Sequence, residues 1–298
     1  GVITSTRRLG FLQVALSGVF FGSLSLFGKT AFEAGVLPGE FLALRFLGAG
    51  ILLFLWILLT GGKLRLSAKH IAICAGLGIV GYALFSFLFF RSLVDLSSAL
   101  SVLLLYQYPW IVAVAASLFL GEKIQPRQWL LFPLLVVGLG LVIGFDYEMR
   151  SPVGLLYGFG AAVFYSVYIL LARFSLKSVP ALSAVAWIQL FAGLVLFAIH
   201  FRSEERVVEV MTVSAWPLAL TIVFPTVLAM SLFISGLQKL KSWEVSIVST
   251  LEPLTTIVLG AWFLRESLAP LQSLGCVVLM LAMLGLALTE RNAPKISG

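Results

Sequence analysis

Charge is scarce in this chain. Only 11% of its 298 residues are Asp, Glu, Lys or Arg, against 60% that are hydrophobic, where a water-soluble domain carries roughly 25% charged residues. So little polar surface cannot cover so much apolar side chain in water, which excludes a soluble fold. Cysteine is rarer still. Cys74 and Cys276 both fall in apolar stretches and give neither a disulfide framework nor metal-ligand spacing. The two histidines, His70 and His200, stand far apart near the ends of hydrophobic runs and read as interfacial groups, not ligands. A Walker-type glycine loop is missing, so direct ATP drive is not expected. Long polar connectors are missing too: the longest, around Arg202 to Ser214, cannot fold as a soluble domain. The sequence therefore implies no cofactor and no metal.

What is present is a series of long apolar runs. Ten are read: Gly10–Phe27, Glu40–Leu59, His70–Phe90, Ser98–Leu120, Trp129–Phe145, Val153–Ala172, Leu182–Phe201, Ala215–Leu237, Val245–Leu264 and Leu271–Thr289. Each approaches the roughly 20 residues that a transmembrane helix needs, and a membrane barrel would instead alternate over short strands. Arg7 and Arg8 precede the first run, whose length suits a retained span rather than a cleaved leader. The formal charge of +7 is an orientation signal and does not imply a nucleic-acid partner. With the N-terminus in the cytoplasm, 13 basic residues lie on the inner side and 6 on the outer, with Arg45 inside a span. That excess puts both termini in the cytoplasm.

Shifting the sequence over itself by 144 positions superposes the hydrophobic runs without a net gap. Matches between leucines mean little here, but the polar and special ones carry weight. Gly10 meets Gly154, Lys29 meets Arg173, Ser98 meets Ser242, Pro109 meets Pro253, Glu122 meets Glu266 and Gln128 meets Gln272. The expected architecture is all-α integral membrane: ten transmembrane helices as two inverted five-helix repeats. Residues 1–9 form a cytoplasmic N-terminal segment, 10–150 the first repeat, 151–290 the second and 291–298 a cytoplasmic tail. An odd number of spans per repeat makes the second enter from the opposite side, with substrate expected near the midplane between repeats.

The duplicated P-x12-E-x5-Q pattern, Pro109 to Gln128 and Pro253 to Gln272, resembles the drug/metabolite transporter superfamily and its EamA-type exporters. Leu251-Glu252-Pro253 followed by Phe263-Leu264-Arg265-Glu266 is similar to that family's second-repeat signature. The first repeat departs from it with Tyr106-Gln107-Tyr108-Pro109. Within the family the chain resembles bacterial aromatic-amino-acid exporters of the YddG type, where a tyrosine also precedes the fourth-helix proline. The resemblance implies a transporter, not an enzyme, in a bacterial inner membrane.

Pro109 and Pro253 fall mid-span in the fourth and ninth runs. Each removes a backbone hydrogen bond and clashes with the carbonyl four residues earlier, at Leu105 and Ser249. They read as structural kinks, as hinges beside a substrate site, or as both. Ser246, Ser249, Thr250 and Pro253 share one helical face, matched by Val102, Leu105, Tyr106 and Pro109. Such stripes serve close helix packing or line a cavity. Tyr82, Ser86, Tyr106, Tyr165 and Tyr168 lie too deep for the interfacial belt, where Tyr157 belongs. They bond to neighbouring helices or line a pocket with flat apolar faces and polar tips. Glu252 is the deepest acid, positioned either to meet a proton or a substrate ammonium or to pair with Arg45. Lys29 and Arg173 end symmetry-related helices and read as functional charges or as snorkelling anchors, Glu122 and Glu266 as loop anchors or gate elements. Trp129, Trp216 and Trp243 suit the interface, and Trp187 sits on a seventh helix read as peripheral.

These residues point to a secondary exporter of small amphipathic metabolites, most of all amino acids including aromatic ones, working by alternating access. Its partners are a small-molecule substrate and membrane lipid; oligomeric state is left open, with a monomer plausible. A nucleotide-sugar carrier of the same superfamily would want more deep bases than Arg45. An integral-membrane lipid-modifying enzyme would want a nucleophile or metal constellation that the two separated histidines do not supply. A channel or membrane scaffold is a third class: a continuous pore would leave flux unsaturated by substrate, whereas a carrier saturates and shows counterflow.

Overall fold

Inside hydrocarbon a backbone has no water to bond, so each apolar run satisfies its own amides by coiling. The computed structural model describes residues 5–120, 126–143, 151–176, 178–237, 239–240, 248–249 and 251–291, and every regular element among them is helical. Ten apolar helices follow in order: α1 Ser5–Glu33, α2 Pro38–Leu59, α3 Ala68–Asp95, α4 Ser98–Phe119, α5 Pro126–Val142, α6 Pro152–Ala172, α7 Ala181–His200, α8 Ala215–Gly236, α9 Leu251–Phe263 and α10 Pro270–Gly285. Seven of them are long and apolar enough to cross a membrane, while α5, α9 and α10 are shorter. Each run read from the sequence overlaps one of these helices. The outer faces are apolar as well, with Leu59, Phe119 and Trp262 at 84%, 82% and 79% exposure, as lipid contact requires and water would not tolerate.

One element was not expected. The connector between α7 and α8 contains a helix, Glu204–Val213. Ser203 caps it by accepting the Arg206 amide, and Glu204 and Glu205 sit in its first turn, where the helix dipole favours acids.

Five of the ten helices are interrupted, α5 among them at Leu130–Leu131. The α1 helix breaks at Ser23, and α4 breaks at Tyr106–Gln107, just before Pro109. Wide π-turns replace α-turns at Leu77–Tyr82 in α3 and Val223–Leu228 in α8. Single π-turns inside helices often mark functional sites. The one in α8 is tied by Thr226 Oγ1 donating to the Thr221 carbonyl, five residues back, at 2.7 Å.

Helices with the same place in each half lie together: α2 packs along α7, and α5 along α10. The others exchange partners. The α1 helix packs on α8 and α9, while α6 packs on α3 and α4. The exchange holds at the level of atoms. A Cβ added to Gly10 would meet Lys239 Cβ at 2.9 Å and Leu240 Cγ at 3.0 Å; one added to Gly154 would meet Asp95 Cβ at 2.9 Å and Leu96 Cγ at 3.0 Å. Each residue of the second set stands 144 positions from its counterpart. Glycine is required at both places because no side chain fits between the helices. Reciprocal contacts of this kind, in which i meets j′ and i′ meets j, are those a two-fold relation generates.

The largest core cluster lies between α2, α3 and α7, around the fully buried Phe41, Phe46 and Phe90. A second joins α4, α5 and α10 around Leu103, Val142 and Leu279. Helix α7 is therefore central, not peripheral. Its Trp187 packs against Phe54 and Phe191 and donates to the Leu64 carbonyl at 3.1 Å.

Candidate functional site

Between the two cores the helices enclose a cavity of about 270 Å³. Tyr82, Ser86, Tyr106, Tyr165, Tyr168, Ser249 and Glu252, all singled out from the sequence, line it. Ser246 and Thr250 lie outside the described residues. The same helical faces explain the grouping. On α3, Tyr82, Phe85, Ser86, Phe89 and Phe90 recur at i, i+3, i+4, i+7 and i+8, and all five reach the cavity. On α4 it is Val102, Leu105 and Tyr106, leading into the break, so the stripe first read as packing or lining faces the cavity. Pro109 and Pro253 do not themselves line it. Pro109 sits just beyond the interruption of α4, and Pro253 is buried in α9, next to Glu252.

Sequence reasoning missed the contribution of α1. Ser17, Gly18, Phe21, Leu24 and Ser25 form one face of that helix and line the cavity. Their signal was present as a small polar stripe, but without a proline or tyrosine to mark it. Phe85, Phe89, Tyr108, Met230, Phe233 and Thr256 were missed as well.

The tyrosines form a continuous aromatic wall. Tyr82 meets Tyr168 at 5.5 Å between centroids, Tyr168 stacks on Tyr165 at 6.1 Å and 12°, and Tyr165 meets Phe85 at 4.5 Å and Tyr108 at 4.8 Å. Tyr106 closes the wall against Tyr108 at 5.8 Å. Among the described residues, only Tyr106 of the four tyrosines expected in the site bonds its hydroxyl to protein. It donates to Glu252 Oε2 at 2.5 Å and lies 3.3 Å from the Ser249 carbonyl. One hydroxyl proton serves the closer acceptor. The remaining tips face the cavity, as does the buried Ser17, whose Oγ has no partner among the described residues.

Arg45 and Glu252 are the one base and one acid among the described lining residues, and they do not pair. Arg45 is 4% exposed. Its Nε donates to Thr226 Oγ1 at 3.0 Å, in the π-turn of α8, and its guanidinium lies over the rings of Phe46 and Phe90 at 5.0 and 5.8 Å. Cation–π contact of this kind partly replaces lost hydration. Pairing with Arg45 is therefore not the role of Glu252, whose hydrogen-bond partner is Tyr106.

Lys29 is no snorkelling anchor either. Its ammonium donates to Glu266 Oε1 and to the Leu96 carbonyl, both at 2.7 Å. Glu266 in turn accepts the Ser98 amide at 2.9 Å, at the start of α4. The counterpart positions Glu122 and Ser242, and the Arg173 side chain, lie outside the described set. Trp129 and Trp216 are 55% and 56% exposed, as interfacial residues are; Trp243 is outside the described residues.

Comparison with known proteins agrees with this architecture. A protein of Archaeoglobus fulgidus named an uncharacterized transporter is 24% identical over 93% of this chain and 96% of its own. The uncharacterized transporter YwfM of Bacillus subtilis is 25% identical over 94% of each chain. The threonine/homoserine exporter RhtA of Escherichia coli K12 is 26% identical over 71% of this chain and 70% of its own. One solved crystal structure has the same fold, with a TM-score of 0.64 and 18% identity over 98% of this chain and 99% of that one. The model of the EamA-like transporter family matches twice, over residues 8–144 and 152–288, a separation equal to the internal offset. The chain is an integral membrane transporter and belongs to the EamA-like transporter family.

Proposed function

We propose that this transporter is a secondary exporter of small amphipathic metabolites, above all amino acids including aromatic ones, in a bacterial inner membrane with both termini cytoplasmic. The observation that carries the reading is the cavity. It is walled by tyrosine and phenylalanine rings, studded with hydroxyls, and supplied with one acid and one base. Pockets for small ligands combine an apolar lining with a few placed polar groups. A flat aromatic or aliphatic side chain suits the wall, and a modest polar head suits the tips. A nucleotide sugar suits it poorly, because its phosphates ask for several bases and Arg45 is the one base among the described lining residues.

Alternating access follows if residues 10–150 and 151–290 are inverted five-helix repeats. Both contribute to the lining: α1 to α4 from the first, α6 to α9 from the second. The reciprocal contacts of Gly10 and Gly154 support a two-fold relation between the halves, and exchanging their tilts would move the opening from one side to the other. Uptake by proteoliposomes of a panel of labelled amino acids tests the proposal. Saturable flux with counterflow is expected. No saturable uptake of any amino acid, beside activity with a nucleotide sugar, overturns it.

A further inference from the structure

The two charges in the cavity are not partners of each other. Arg45 belongs to α2 and Glu252 to α9, so each half supplies one. On Glu252, Tyr106 occupies Oε2, and Oε1 has no protein partner among the described residues. On Arg45, Thr226 occupies Nε, and the terminal nitrogens have no protein partner among the described residues. Among the described residues each group makes one side-chain hydrogen bond, through one atom, and its opposite atoms have no hydrogen-bond partner. A buried guanidinium without a counter-ion is costly and lasts where a ligand or function maintains it.

The internal repeat sharpens the point. The position 144 from Arg45 is Gln189, and the one 144 from Glu252 is Tyr108. Both charges therefore break the repeat. A symmetric cavity would accept a head-to-tail ligand in two orientations; this one offers a cation on one side and an acid on the other.

We infer that Arg45 receives the carboxylate and Glu252, steadied by Tyr106, the ammonium of a free α-amino acid, with its side chain laid against the tyrosine wall. The inference rests on the amino-acid reading above and adds the requirement that both groups be unblocked. A planar guanidinium whose terminal edge, the two Nη groups, is unbonded among the described residues matches a carboxylate in the bidentate way that lysine cannot. A ligand that took both groups would bridge the two halves, and its occupancy would then depend on how the halves are tilted.

The test uses the full chain, in liposomes for flux and in detergent for direct binding. L-phenylalanine and L-threonine are each compared with the amine that lacks the carboxylate and the acid that lacks the ammonium. In the wild type either single-handed analogue is expected to bind at least about tenfold more weakly than its amino acid, the scale of one lost charged contact. Arg45→Gln should raise the Kd of the amino acid and of the deaminated acid by about tenfold or more and leave the amine unchanged. Glu252→Gln should do the mirror image. Thr226→Val keeps the charge and loosens its support, so it should weaken only the carboxylate-bearing probes; it serves if Arg45→Gln fails to fold. Equal losses for all probes in these variants, or no loss for any, overturn the inference. Absence of amino-acid flux in the wild type overturns the transport reading instead, while the same charge-selective binding in detergent would still uphold the two receptors. A wild type that binds none of the probes overturns both.

Discussion

Lys29 and Glu266 meet at 2.7 Å although 237 positions separate them in sequence. One carboxylate thereby joins the end of α1, the Leu96 carbonyl through Lys29, and the first amide of α4 at Ser98. The clasp ties both halves at a single point, because α1 and α4 belong to the first and Glu266 follows α9 of the second. Glu266→Ala would leave a half-buried ammonium and a helix-start amide without their acceptor. The expected cost is about 1–3 kcal/mol, read as a lower unfolding temperature of the purified protein in detergent. Glu266→Gln, which still accepts a hydrogen bond, should lose less. Equal stability of all three proteins would show the clasp to be energetically idle.

Tyr106 supplies the hydrogen bond that holds Glu252. Tyr106→Phe keeps the ring in the aromatic wall and removes that bond. It is expected to cost about 1–2 kcal/mol of substrate affinity, or about five- to thirtyfold in KM. Tyr106→Ala and Thr250→Ala should impair transport without loss of membrane expression. Normal uptake by both would remove these positions from the site.

Much of this site was legible because helical periodicity is a local property. Tyr82 and Ser86 lie one turn apart on α3, and Tyr165 and Tyr168 one turn apart on α6; polar atoms buried that deep need a protein partner or a cavity. Their convergence was not legible, since nothing within α3 says that α6 faces it. The same limit hid Arg45 and Glu252. Opposite charges in two greasy helices suggest a salt bridge on electrostatic grounds alone, and only tertiary packing, with α2 along α7 and α9 against α1 and α4, tells otherwise. The Glu204–Val213 helix was missed for another reason. It lacks the long apolar run used to find spans, and its signals, a Ser203 cap followed by Glu204 and Glu205, were outweighed by its place in a connector.

That connector helix holds the start of α2. Arg206 donates from Nε and a terminal nitrogen to both oxygens of Glu40, each at 2.8 Å, and also to the Gly35 carbonyl at 3.1 Å. Glu40 is 3% exposed and also accepts the Leu37 amide at 3.0 Å. Arg206→Ala would strand a buried carboxylate, at a cost of about 1.5–3 kcal/mol. Arg206→Lys keeps the charge but not the planar fork and should recover only part of that. Unfolding temperatures across Arg206→Ala, Glu40→Gln and the double variant decide the matter: purely additive losses would refute the coupling.

Pro109 and Pro253 are proposed as hinges. Where proline removes a helical hydrogen bond, the backbone bends at less cost, and α4 is indeed interrupted at Tyr106–Gln107, with Leu105 and Tyr106 on the cavity wall. In α9 the equivalent Pro253 adjoins Glu252, so both prolines stand one step from groups that touch the ligand space. Restoring the amides in a Pro109→Ala, Pro253→Ala pair should stiffen both helices. The expected result is turnover slowed about tenfold, as about 1.4 kcal/mol on the exchange barrier would give, with little change in substrate Kd. Binding measured in detergent and counterflow measured in proteoliposomes separate the two effects. A loss confined to Kd would make the prolines part of the binding wall, and unchanged turnover would refute the hinge.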